Sequence, residues 1–149
     1  MQIIPFEPPH LRAVAPQCAQ SDFTAYVETL DMHALVQRDA AFTAIDDAEG
    51  GRAVLGCAGV VTLWPGVGQA WAIFSDRLLG HPVALTRATG RALDRISATQ
   101  DLRRVQATVR DGHGAGARWL SFLGFELEGL LVNYGPGGSG DYWMYGRTI

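Results

Sequence analysis

The run Arg77-Leu78-Leu79-Gly80-His81-Pro82-Val83 sets an arginine, a glycine and a histidine directly ahead of a helical pattern. A turn of this kind leaves backbone N–H groups free at the positive end of a helix, where an anionic ligand can sit. Arg77 adds a guanidinium suited to gripping two oxygens at once, and His81 a second cation. An ordinary turn with a solvated arginine and an exposed or capping histidine accounts for the same residues, and both readings stay open. His113 lies between glycines at a second helix start and is the sharpest candidate for proton transfer: it can donate a proton or hold a phosphate there. Its plain alternative is a solvent-facing loop histidine. Glu28, Asp31 and His33 would line a pocket or serve as solvated helix polarity. Trp71 reads as core before stacking platform, and in Asp141-Tyr142-Trp143-Met144-Tyr145 the alternation puts Asp141, Trp143 and Tyr145 on one face and Tyr142 on the other. No Ser/His/Asp order, no Cys/His cluster for a metal and no complete nucleotide-binding glycine loop stands in the chain.

The elements that must position these residues follow from punctuation and periodicity. Ala70-Trp71-Ala72-Ile73-Phe74 is apolar, too short for a helix, preceded by Gly66 and Gly68 and followed by Ser75-Asp76, so it is a buried strand. Pro82 suits the first turn of a helix, where its missing N–H is not needed. From Val83 to Ser97, Leu85, Ala88, Ala92, Leu93 and Ile96 recur at helical spacing, with Arg87, Arg91, Asp94 and Arg95 opposite. Before this unit come a strand at Gln2–Phe6, a short helix at His10–Val14, and a second helix capped by Ser21 through Phe23, Tyr26, Val27 and Leu30 to near Arg38. Ala41–Ile45 and Ala53–Leu63 then form a hairpin around Asp46–Gly51, the second strand central. After it come a strand at Val105–Val109, a helix through Ala117, Trp119, Leu120 and Leu123 stopping at Gly124, and strands at Phe125–Tyr134 and Asp141–Thr148. The loop Gly135–Gly140 between those strands is flexible by composition.

Size and composition bound the rest. A chain of 149 residues, 48% hydrophobic and 18% charged, forms one globular domain over residues 1–149. The net charge of -3, with both signs mixed along the chain, gives no basic face for nucleic acid. All twelve basic residues are arginine. Cys18 and Cys57 form no disulfide framework, so a reducing cytoplasm is the expected setting. No signal peptide and no apolar run long enough to cross a bilayer is expected. The order of elements implies an α/β fold: a mixed sheet of about six or seven strands with helices on both faces.

The order of elements and two local patterns resemble the GNAT acetyltransferase superfamily. Arg77-Leu78-Leu79-Gly80-His81-Pro82 matches that superfamily's Arg/Gln-x-x-Gly-x-Gly/Ala cofactor turn at Arg77 and Gly80. Ala117-Arg118-Trp119-Leu120-Ser121-Phe122-Leu123-Gly124-Phe125 ends in its Leu-Gly-Phe run. The stretches Gly68–Asp76 and Arg118–Gly124 also resemble small GNAT-like proteins of tailed bacteriophages, some of them internal virion or morphogenesis proteins. The superfamily likeness implies acetyl-CoA as cofactor. Ala72, Ile73 and Phe74 would pair a strand edge with the pantetheine arm, and Arg77, Gly80, His81 and Val83 would hold the pyrophosphate. His113 stands where an asparagine commonly opens the last helix, Leu120 where a tyrosine often protonates the thiolate, and Gln69 then Trp71 where a strand glutamate often serves as base. Pro82 removes one backbone donor from the phosphate-facing turn.

The resemblance thus implies acetyl transfer from acetyl-CoA to a small-molecule or protein amine, with His113 as the candidate catalytic group, no metal, and positioning and backbone polarisation carrying most of the catalysis. A water would take the proton in place of a strand glutamate. Two other outcomes fit the departures: a catalytically degenerate phage assembly protein that binds virion partners, in host cytoplasm or virion, and a regulatory domain that senses CoA without turnover.

Overall fold

A computed structural model of the chain describes residues 1–22, 37, 39–48 and 50–149. The second predicted helix, together with Glu28, Asp31 and His33, falls outside the described residues. Seven strands form one mixed sheet in the order β1-β2-β3-β4-β5-β7-β6. They are β1 (Gln2–Pro5), β2 (Ala41–Ala48), β3 (Gly51–Trp64), β4 (Val67–Phe74), β5 (Arg104–Arg110), β6 (Glu126–Leu131) and β7 (Tyr142–Thr148). Three α-helices accompany them among the described residues: α1 (Pro8–Ala13), α2 (Pro82–Thr99) and α3 (Gly114–Phe122). The β4–β5 pair is parallel, whereas β1–β2, β2–β3, β5–β7 and β6–β7 are antiparallel. The α/β reading and the strand count stand.

Two strands run longer than the turn formers suggest. Ala48 pairs directly with Gly51, so the Asp46-Asp47 pair lies inside the ladder. Gly50 and Gly51 make this possible at φ values of 121° and 124°, where a side chain would be strained. The β3–β4 loop is equally short, Pro65-Gly66, with Gly66 at φ 84° supplying the positive dihedral of a type II turn.

By its contacts the chain forms two compact units, residues 1–61 with 71–85 and residues 62–70 with 86–149. In the first, Phe6, Leu11, Val14, Ala41, Cys57 and Ile73 pack into one apolar cluster joined by Val54 and Trp71. The indole of Trp71 meets the Phe6 ring edge-on at 5.3 Å, so Trp71 is indeed a packing residue. Burial pushes the Cys57 thiol up to about 11, which leaves it protonated and unreactive.

In the second unit, β5 alternates as its sequence suggests, with Val105, Ala107 and Val109 buried. The apolar stripe of α2 turns Leu93 and Ile96 inward while Arg87, Arg91, Asp94 and Arg95 stay exposed. Arg147 on β7 donates to Asp94 at 2.6 Å, and the Trp119 indole of α3 donates to Thr86 at 3.0 Å, tying both helices down. Gly124, at φ 85°, ends α3: Phe125 N–H donates to Leu120 O at 3.0 Å and Gly124 N–H to Ser121 O at 3.0 Å, a Schellman cap. Leu120, at the place of a tyrosine in the resembled pattern, is buried core. The loop at Gly135–Gly140 closes on itself through Gly135 N–H to Gly140 O at 3.2 Å, with a 3-10 turn at Pro136–Gly138.

Candidate functional site

The strand β4 is used unevenly along its length. Its ladder with β5 pairs Val67 with Arg104, Gly68 with Val105 and Gln69 with Gln106, and the pairing ends there. Farther on, Ser75 pins the strand to β3: its N–H donates to Leu55 O at 2.9 Å and its hydroxyl to the same oxygen at 2.7 Å. Because backbone groups alternate along a strand, Ile73 and Ser75 face β3 while Ala72 and Phe74 present theirs to the opposite edge. Of the three predicted edge residues, Ala72 and Phe74 therefore offer backbone groups, and Ile73 contributes a buried side chain to the core.

The turn that follows is tighter than a glycine loop. Leu78–Gly80 form a 3-10 turn in which Leu78, Leu79, Gly80 and His81 donate their N–H groups to the carbonyls of Ser75, Asp76, Arg77 and Leu78. The amides around Gly80 thus serve the turn. The next ones do not: Val83 and Ala84 N–H find no partner among the described residues, and Leu85 N–H donates to His81 O at 3.0 Å. These two open amides sit at the start of an 18-residue helix, where the dipole favours an anion. Space around Gly80 is open: a Cβ there would meet nothing within 4 Å. The Arg77 guanidinium, 61% exposed, reaches Asp46 through one nitrogen at 3.3 Å. A surface pair of this kind contributes little and yields readily to a better anion. His81 is exposed beside it.

His113 belongs to the second unit. Gly112, at φ 86°, turns the chain out of β5, and His113 precedes α3 with its N–H on Arg110 O at 3.0 Å and its carbonyl accepting from Ala117 N–H at 3.1 Å. The imidazole folds back over Gly116, where a Cβ would lie 2.5 Å from its Cδ2 and 2.7 Å from its Nε2. This packing half-buries the ring, and the burial pushes its pKa below the ordinary 6.5. A lowered pKa favours the uncharged ring at neutral pH, a form that accepts a proton more readily than it donates one. Replacing Gly116 with alanine is expected to drive the ring into solvent and to raise its pKa toward 6.5, read from the His113 proton shifts in an NMR titration. An unchanged titration in the variant would show that Gly116 does not seat the ring.

Gln69 stands where the resembled pattern has a carboxylate base, and both ends of its amide are hydrogen-bonded. It accepts from Gln106 Nε2 at 3.1 Å and donates to Ala70 O at 3.2 Å. Beyond Gln106, Arg104 holds Glu128 through both guanidinium arms, so that carboxylate is committed to a structural pair and kept below its usual range.

Two residues that the sequence did not single out bear directly on the β4 edge. Gln20 Nε2 donates to Ala72 O at 2.7 Å, and Phe74 N–H donates to Gln20 Oε1 at 2.9 Å. Gln17 N–H donates to Phe74 O at 2.8 Å. Nothing in the Pro16–Ser21 stretch marks these glutamines, since their partners lie more than fifty residues away.

No protein-family model matches the sequence, and no curated protein matches it. Solved structures do. The chain is similar to Ard1 from Thermoplasma volcanium, with a TM-score of 0.73 at 17% identity over 99% of this chain and 97% of that one. It is similar to the GNAT-family acetyltransferase from Bacillus anthracis, with a TM-score of 0.67 at 18% identity over 98% and 93%. A third, the ribosomal-protein-alanine N-acetyltransferase from Brucella melitensis, matches with a TM-score of 0.67 at 14% identity over the full length of both chains. At such identities the likeness carries the architecture and nothing finer: this chain has the GNAT fold.

Proposed function

We propose that the chain, as a single GNAT-like domain, transfers an acetyl group from acetyl-CoA to an amine. The observation that carries this reading is the far edge of β4, where Ala72 O, Phe74 N–H and Phe74 O are met by glutamine side-chain and loop groups instead of a strand. With the Gln20 carboxamide turned aside, such an edge presents the C=O and N–H groups that an extended, amide-bearing arm pairs with. The residues of the first unit fit the remainder of such a ligand. Val83 and Ala84 N–H, the Arg77 guanidinium and the open face of Gly80 would hold a diphosphate, with Pro82 contributing no donor.

Bound acetyl-CoA would supply the thioester that the amine attacks. Backbone donors of β4 would polarise its carbonyl. His113, the catalytic candidate of the second unit, carries a ring whose lowered pKa suits it to take a proton from an amine. One protein of similar fold is named for acting on a ribosomal-protein alanine and another for acting on spermidine, which supports a protein or small-molecule amine as acceptor. Two free thiols fit a reducing cytoplasm, and among the described residues no helix is long and apolar enough to cross a membrane. Neither the fold nor the similar structures supports the phage subgroup or virion partners.

Calorimetric titration with acetyl-CoA, followed by thiol-release assays on a panel of amines, tests the proposal. Saturable heat and release of CoA thiol are expected. No heat and no thermal stabilisation at millimolar acetyl-CoA would remove it.

A further inference from the structure

The edge of β4 that would receive the ligand already holds an amide. The Gln20 carboxamide donates to Ala72 O at 2.7 Å and accepts from Phe74 N–H at 2.9 Å. It thereby spans one C=O and one N–H two residues apart on the same edge. In an added strand or extended ligand the N–H of one amide and the C=O of the next lie on one side and pair with these same two groups. Gln17 fixes the arrangement twice. Its side-chain Nε2 donates to Gln20 Oε1 at 3.1 Å, and its backbone N–H donates to Phe74 O at 2.8 Å. Gln17 is buried and Gln20 half-buried, and a 3-10 turn at Cys18–Gln20 closes with Ser21 N–H on Cys18 O at 3.1 Å. The carboxamide is held in place from both sides and is no casual surface contact.

We propose that Gln20 is an internal surrogate for the pantetheine arm of an acyl-CoA, and that the ligand binds β4 by exchanging the N–H of one of its amides and the C=O of the other for the Gln20 carboxamide. This inference rests on the acyl-CoA reading above. One donor and one acceptor replace another such pair, so the strand loses no hydrogen bond in the exchange and neither Ala72 O nor Phe74 N–H is left buried and unpaired. The free edge is a minor state, and the affinity measured for the ligand is its intrinsic affinity reduced by the fraction of molecules in which Gln20 has swung away. Gln20 thereby sets how much acyl-CoA is needed for occupancy, and any ligand lacking an amide in register is excluded.

The test uses the full chain, with Gln20→Ala to remove the carboxamide and Gln20→Glu to keep the acceptor for Phe74 N–H while losing the donor to Ala72 O. Titration with CoA and with acetyl-CoA is expected to show binding about tenfold tighter for Gln20→Ala than for the wild type, with Gln20→Glu between them. Hydrogen exchange at the Phe74 amide reads the edge without any ligand. It is expected to speed up in Gln20→Ala and to slow again when CoA is added. Equal or weaker CoA binding by both variants, with the wild type binding, overturns the inference and leaves the acyl-CoA reading standing. Unchanged Phe74 exchange in Gln20→Ala likewise overturns the inference alone. Absence of CoA binding in the wild type and in both variants overturns the two together, because opening the edge would then have uncovered no ligand site.

Discussion

Replacing Leu78 with alanine is expected to lower the free energy of unfolding by about 3 kcal/mol, a fall of roughly 10 °C in Tm. The side chain is fully buried, and its Cδ2 packs 2.9 Å from where a Cβ on Gly56 would stand. The close approach leaves the site little room to collapse, so the cavity term adds to the lost transfer energy. Gly56 cannot be enlarged to fill it, because a Cβ there would also lie 2.9 Å from Ile73 O. The loss reaches the candidate site too. Leu78 anchors the 3-10 turn from inside the core, and its carbonyl accepts from His81 N–H at 3.1 Å, which sets the direction in which α2 begins. Leu79, one residue on and 42% exposed, is the control: its alanine variant is expected to stay within about 0.5 kcal/mol of the wild type. Urea denaturation followed by tryptophan fluorescence measures both, at an unchanged m-value. Equal stabilities for the two variants would mean that Leu78 is no anchor.

The contrast between Leu78 and Leu79 also marks what a sequence can convey. Strands, helices and their order are legible because glycine, proline and hydrophobic periodicity act locally. Leu85, Leu93 and Ile96 fall inside, and Arg87, Arg91 and Arg95 outside, on periodicity alone. In the short run between Arg77 and Pro82 periodicity has no purchase, and nothing distinguishes the leucine that enters the core from the one that does not. The same limit hides Gln17 and Gln20, whose meaning comes from a strand brought to them by tertiary folding. It hides the insertion of β7 between β5 and β6 as well, since strand order follows from packing rather than from any one segment. At Gly80 the difficulty is of another kind. A glycine ahead of a helix fits a phosphate loop and a 3-10 turn equally well, and the two differ only in where the amides of residues 78–81 find acceptors.

Under the proposed acetyl transfer with His113 as proton acceptor, changing His113 to glutamine is expected to lower kcat by about a hundredfold with little change in the KM for acetyl-CoA. The size follows from losing one positioned proton acceptor, with water left to serve. The pH profile separates this role from a structural one. Burial holds the His113 pKa below 6.5, so in the wild type kcat is expected to rise with pH through that depressed value and to be flat by neutrality. In His113→Gln the rising limb disappears. A weakly basic aryl amine is the acceptor of choice, because its own ionisation lies below this range and does not mask the limb. Were His113 the donor to the departing thiolate, kcat would instead fall as pH rose through the same value, and the direction of the limb decides between the two. Stability gives an independent reading. The unfolded chain binds a proton at His113 near pH 6.5 while the folded chain resists it, so the wild type loses stability as pH falls below about 6.5, until the folded ring also takes a proton. His113→Gln is expected to remove that part of the acid slope whether or not the protein turns over substrate. A variant that lost the acid slope yet kept the kinetic limb would place the titrating base on another residue.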